Sequence, residues 1–211
     1  MIDIIIYGSV VFASLFTLVN PLGAIPVFIN LTGNLNYKNT KKIALKIIVV
    51  SIFVLTLFMI FGQVIFKFFG ISTNSFRIVG GILFFLMGYD MLQAKMSRTK
   101  TSRKDGQFEK IKDNAITPVA IPMLAGPGAI THLIIKIQDT PSFYYKISVF
   151  IAMFLVFSLT YFLFIAGKRI MKLLGKNGNK IMLRIMGLIV MVIAVEFFFS
   201  GLTPILKNII N

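Results

Sequence analysis

Two helix-breaking blocks interrupt otherwise apolar runs: Asn20-Pro21-Leu22-Gly23 and Gly126-Pro127-Gly128. Proline lacks an amide proton and glycine admits dihedrals that end a helix, so each block should open its run and free main-chain groups. A helix resuming at about Ala24 or Ala129 would turn N-terminal amides, with their partial positive charge, toward the gap, and the half-helix before it would present carbonyls. A carboxylate suits the amides, and an ammonium group or a cation suits the carbonyls. A small zwitterion matches both. Ser14, Thr17 and Asn20, spaced by three, lead polar groups to the first block, and Thr131 adds a hydroxyl beyond the second. Gly23, Ala24, Ala125 and Ala129 let backbones approach closely and leave only a small pocket. The substrate-binding candidates are therefore Asn20, Pro21, Gly23, Ala24, Gly126, Pro127, Gly128 and Thr131. The plainer alternative is two proline kinks, tolerated through neighbouring hydroxyls and waters; their matching positions favour a site.

Of seven acids, only Asp90 and Glu196 fall inside apolar runs, where a carboxylate is a functional candidate by default. Glu196 lies within about one turn of the centre of its run and is the proton-coupling candidate. Asp90 sits nearer an end, where pairing with a base such as Lys95 accounts for it. Arg77 and Arg184 open their runs as snorkelling anchors. Two readings stay open for the lone His132: a group titrating near neutral pH, or an interfacial side chain. Zero cysteines, one histidine and no His-Glu-x-x-His, Gly-x-Ser-x-Gly or phosphate-loop pattern leave no catalytic residues, no metal ligands and no cofactor to assign. An enzyme is not expected.

The elements that must carry these residues are membrane spans. With 57% apolar and 14% charged residues, 22 Phe and a mean hydropathy of +0.88, the 211-residue chain has more apolar surface than a water-soluble globule of its size can hide. Six runs of membrane-crossing length occur at Ile4–Leu31, Ile43–Phe69, Ser75–Ala94, Ala115–Ile137, Ile147–Ala166 and Ile181–Leu206. The first follows Met1-Ile2-Asp3, has no basic region before it and no small-residue cleavage site after it, and is expected to be retained. Seventeen of the 22 Lys and Arg fall in the first, third and fifth connections with their flanking turns, which should face the cytoplasm of a cell-membrane protein, with both termini outside. The net charge of +15 then reflects this bias and affinity for anionic headgroups, and needs no nucleic acid. A re-entrant fourth run would carry the basic fifth connection outside, so that run should cross.

Arg77-Ile78-Val79-Gly80-Gly81-Ile82 recurs 107 residues later as Arg184-Ile185-Met186-Gly187-Leu188-Ile189, and the broken runs correspond. Three spans per half invert the second half relative to the first. The expected fold is all-α: a six-span bundle of two inverted three-helix repeats, residues 1–95 and 115–211, joined by a basic cytoplasmic linker, residues 96–114, with the first and fourth spans discontinuous.

The blocks Val19-Asn20-Pro21-Leu22-Gly23-Ala24-Ile25-Pro26-Val27-Phe28, Phe69-Gly70-Ile71-Ser72 leading into Ser75-Phe76-Arg77-Ile78-Val79-Gly80-Gly81, Ile121-Pro122-Met123-Leu124-Ala125-Gly126-Pro127-Gly128-Ala129-Ile130-Thr131, and Arg184-Ile185-Met186-Gly187-Leu188 resemble the MarC family of multi-pass membrane proteins over essentially the whole chain. The resemblance implies six spans, an inverted repeat and, for its best-understood branch, transport of small neutral amino acids such as glycine and alanine. By position, Asn20, Pro21, Gly23, Gly126, Pro127 and Gly128 match its motif blocks, and Glu196 looks like an acid found in some members. The expected function is a secondary transporter or exporter of such amino acids with optional proton coupling; a channel or facilitator, and a structural or lipid-interacting protein, are the alternatives. Because the chain has no cysteine, single cysteines at Ser102 and Thr140 should react with impermeant thiol reagents from opposite sides; labelling from one side would refute the inverted arrangement.

Overall fold

In the computed structural model, which describes residues 2–33, 35–93, 119–138, 140 and 142–210, the described residues form helices and short connections, with no strand among them. Helices α1 (Ile2–Val19) and α2 (Pro21–Thr32) are parted by one residue, Asn20. Helix α3 (Tyr37–Phe68) starts where the Asn36 side chain accepts the Asn39 amide at 2.8 Å. It stops at Gly70, whose φ of 64° lets the Ile71 amide turn back to the Phe66 carbonyl at 2.8 Å. Helix α4 (Thr73–Leu92) is capped by Ser72, which accepts the Ser75 amide at 2.9 Å. A short wide-turned segment, π1 (Val119–Leu124), precedes α5 (Pro127–Gln138). The final run, α6 (Phe143–Ile210), is divided at Gly175 (φ 65°, ψ −175°) into two arms, 143–174 and 176–210.

Five stretches are long and apolar enough to cross a bilayer: Ile2–Ile29, Tyr37–Phe68, Thr73–Leu92, Phe143–Gly167 and Lys180–Lys207. The fourth run expected from sequence is not among them; its described residues form pieces of 6 and 12 residues. Its first residues, and the 96–114 linker, lie outside the described residues. The five carry their apolar side chains outward as well as inward: Phe53 is 65% and Phe162 66% exposed, the pattern of helices whose outer faces meet lipid. Segment 119–138 differs. Val119, Ala120, Leu124, Ala129 and Leu133 are fully buried, so it forms the middle of the bundle with the other helices around it.

Side-chain contacts fix the directions. Ser14 meets His132 and Tyr7 meets the Lys136 carbonyl, so α1 and α5 are antiparallel. Ser51 reaches the Ala120 carbonyl, and Gly62 lies against Ile134, so 119–138 keeps one direction alongside α3 and does not turn back. In the α1–α2 run, Gly8 faces Ser148 and Phe28 stacks on Phe164 with ring centroids 4.3 Å apart, so that run is parallel to the first arm of α6. The tightest packing joins α4 to the second arm. A β-carbon on Gly81 would sit 2.8 Å from the Ala194 carbonyl oxygen, one on Gly88 2.8 Å from the Gly187 carbonyl oxygen, and one on Gly201 2.5 Å from the Asn74 carbonyl oxygen. Residue numbers fall on one helix as they rise on the other, so the pair is antiparallel and meets backbone to backbone.

Elements recur along the chain at a nearly constant interval. The 12-residue helices α2 and α5 begin at Pro21 and Pro127, α3 and α6 at Tyr37 and Phe143, and the two positive-φ glycines among the described residues are Gly70 and Gly175, an interval of 105 or 106 residues throughout.

The α4 contact makes a measurable demand. Gly81→Leu or Gly88→Leu drives a side chain into main-chain atoms and should lower the thermal unfolding midpoint in detergent by an amount matching about 1–3 kcal/mol, whereas Val79→Leu, at a 53% exposed position, should leave it nearly unchanged. Equal midpoints for the three would show that these helices do not meet.

Candidate functional site

Asn20 interrupts the first span by adopting φ 45° and ψ 61°, a left-handed conformation that asparagine tolerates better than most residues. Its Oδ1 accepts the Gly23 amide at 3.1 Å, and its carbonyl accepts the Ala24 amide at 3.2 Å, so one residue both ends α1 and caps α2. Pro21 has no amide for the Thr17 carbonyl, which loses its helical donor. Gly23 is required for space: a β-carbon there would lie 2.6 Å from Asn20 Nδ2.

The second break is wider. Ile121 is extended (φ −139°, ψ 119°), the Ala125 amide reaches back five residues to the Ala120 carbonyl at 2.9 Å, and α5 starts at Pro127. Ser51 of α3, bonded to the Ile47 carbonyl at 2.9 Å, also lies 3.4 Å from the Ala120 carbonyl oxygen. Both helices therefore restart on proline, earlier than the expected Ala24 and Ala129, because a missing amide costs nothing in the first turn of a helix.

The two breaks come together. Asn20 lines a cavity of about 10 Å³ with Leu18, Val19, Met123 just before the second break, Phe84 and Met87 of α4, and Val190 and Ile193 of the second arm. The α1–α5 register pairs Ser14 with His132 and Leu18 with Gly128; two residues further it sets Asn20 level with Gly126. Since α2 continues along α1 and α5 runs the other way, the N-termini of α2 and α5 face this level from opposite sides. Two buried side-chain atoms lack any hydrogen-bond partner: Asn20 Nδ2 and Thr131 Oγ1. A buried donor left unpaired costs about 1–3 kcal/mol, so these two atoms stand out as polar groups with unused hydrogen-bonding capacity.

Pro21, Gly23, Ala24, Gly126, Pro127, Gly128 and Thr131 are all buried, but of the residues expected to bind substrate it is Asn20 that lines the cavity. Glu196 is not among them. It is exposed on the second arm without a hydrogen bond or ion pair among the described residues, while its neighbour Phe197 turns inward toward Gly128. Asp90 is also exposed, and Lys95 lies outside the described residues. Thr17 is exposed, and Ser14 is bonded to His132 at 2.9 Å. Sequence reasoning missed Met123, Ser51 and the α4 wall; the contact of Gly80 with Pro127, where a β-carbon would sit 2.5 Å from the proline Cβ, is the one whose signal was visible, in the doubled glycine.

Asn20 holds two separable contributions. Asn20→Gly keeps the left-handed backbone and loses the cap, a few tenths of a kcal/mol; Asn20→Ala loses both, about 2 kcal/mol, and should have the lower thermal midpoint of the two. Equal midpoints would mean that the left-handed geometry is not retained.

Comparison with known proteins identifies the family. The MarC family integral membrane protein model matches residues 5–206. A UPF0056 membrane protein, MJ1677, of Methanocaldococcus jannaschii is 36% identical over 197 residues, covering 93% of this chain and 96% of its own length. The UPF0056 membrane protein YvbG of Bacillus subtilis is 36% identical over 194 residues, covering 91% and 92%, and PH0760 of Pyrococcus horikoshii is 34% identical over 203 residues, covering 96% and 97%. No solved structure matches significantly. Matched from near one end to the other and built of several lipid-facing helices, the chain belongs to the MarC family of integral membrane proteins.

Proposed function

We propose that this protein is a secondary transporter of small neutral amino acids of the glycine and alanine type, and that the substrate binds where the two broken helices meet. The observation that carries the reading is the pair of unpartnered buried atoms, Asn20 Nδ2 at the N-cap of α2 and Thr131 Oγ1 about one turn into α5. The helix ends and the Asn20 amide favour a carboxylate, and the unpartnered Thr131 hydroxyl oxygen can accept from an ammonium group. Pro21, Gly23 and Ala24 form the α2 side, and Gly126, Pro127 and Gly128 the α5 side.

Transport reads naturally from a two-half architecture. On this reading segment 119–138 is the inner part of a sixth crossing and the chain is an inverted repeat; the interval of 105 or 106 residues and the antiparallel α4 contact support it. The Lys and Arg distribution sets the first, third and fifth connections in the cytoplasm. A cavity of about 10 Å³ holds roughly one water, so the conformation seen is closed around the site, and loading requires the halves to part.

Proteoliposomes test the reading. Vesicles preloaded with unlabelled glycine should take up labelled glycine and alanine by saturable counterflow, and Thr131→Val should weaken it about tenfold while keeping the fold, by removing one hydroxyl from the site. Flux that neither saturates nor shows counterflow would replace the carrier by a channel. Absence of flux for every small amino acid would remove transport altogether.

A further inference from the structure

Between α4 and the second arm of α6 an open groove of about 230 Å³ faces outward, far larger than the inner cavity of about 10 Å³ at Asn20. Its floor is the buried pair Gly81 and Ala194, and its walls include the exposed side chains of Phe85, Leu86, Val195 and Phe199. Every side chain that lines it is apolar. Both helices belong to crossing stretches, so hydrocarbon lies against the groove.

Charge stands at one end of it. On the second arm Lys180, Arg184, Leu188, Met191, Val195 and Phe198 are spaced by three or four, which places them on one face of the helix, and the last two line the groove. Lys180 and Arg184 are exposed. Val195 lies eleven residues beyond Arg184, about 16 Å along the helix, and half of a bilayer's hydrocarbon core is about 15 Å. A lipid whose phosphate rests at Arg184 therefore lays its acyl chain over Leu188 and into the groove. Gly88 meets the Gly187 carbonyl, so Tyr89 of α4 stands close to the level of Leu188 and exposes a phenol that can donate to a phosphate or ester oxygen. Asp90, beside Tyr89 and also exposed, sets one negative charge against the two positive ones.

We propose that this groove holds an acyl chain of an anionic phospholipid whose phosphate is bound by Arg184 and Lys180. Charge selects the occupant. A second copy related by a two-fold axis normal to the membrane would set Lys180 and Arg184 level with their own counterparts, like charge against like, whereas a phosphate is attracted to both. With the fifth connection in the cytoplasm, as proposed above, these bases meet the leaflet in which anionic lipids concentrate. The site is independent of the transport reading, since it lies on the outer surface of the bundle and shares no residue with the cavity at Asn20.

The chain has no tryptophan, so a single introduced one reports on its own surroundings. Phe85→Trp and Leu86→Trp place it in the groove, and Phe53→Trp places it on a lipid-facing surface elsewhere. Each purified variant, in detergent micelles, is titrated with phosphatidylglycerol brominated in its acyl chains. Both groove reporters should be quenched at a lipid concentration about tenfold below that needed for Phe53→Trp, and Lys180→Gln with Arg184→Gln should remove that difference. Brominated phosphatidylcholine should quench all three alike. Coincident phosphatidylglycerol titrations for Phe53→Trp and the groove reporters overturn the site. A groove preference that survives the loss of both bases, or that phosphatidylcholine shows equally, overturns the anionic headgroup. Groove reporters that stay unquenched overturn the proposal, and dimeric protein in that case identifies a second copy as the occupant.

Discussion

Hydrocarbon offers the backbone no hydrogen-bond partner, so a helix can be broken inside a membrane only where protein or water takes over the freed groups. The arrangement of this bundle follows from that constraint. Segment 119–138, with the wider break, is surrounded by other helices; the span containing Asn20 turns its break toward that segment and confines it to one residue. The side chains at the breaks serve the backbone first: Asn20 accepts the Gly23 amide, and Ser51 approaches the Ala120 carbonyl. Asn20 Nδ2 and Thr131 Oγ1 remain buried without a hydrogen-bond partner.

Glycine decides how close the surrounding helices come. Gly81, Gly88, Gly187 and Gly201 bring α4 and the second arm of α6 into main-chain contact, and Gly80 lets α4 reach Pro127 at the start of α5. One helix therefore touches both the break and the far half of the chain. A displacement of α4 along the second arm would be felt at Pro127 directly, through rigid contacts rather than through a flexible loop.

Much of this was legible in the sequence because the signals are local. Proline and glycine mark the breaks, 19-residue apolar windows mark the crossings, and caps such as Asn36 and Ser72 stand at helix starts. Local signals also misled. Restart positions were expected at Ala24 and Ala129, although proline itself is the natural first helical residue, at Pro21 and Pro127. The direction in which a side chain points depends on helix rotation about its axis, which a uniformly apolar run does not specify; hence Glu196, central in its run, turned out to be exposed while Phe197 faces the core. Contacts between distant segments, such as Ser14 with His132 or Asn20 with Met123 at one cavity, have no local signature.

The enclosure of α5 also bears on how the protein is made. A stretch of 12 helical residues with its apolar face already matched by neighbours, and with an extended residue six positions before it, has little to gain from partitioning into lipid alone as it leaves the ribosome. The helices it packs against most, α3, α4 and α1, precede it in the chain, so most of its walls are already made when it emerges. Insertion of this segment is thus coupled to the first half of the chain, whose helices receive it into protein rather than lipid.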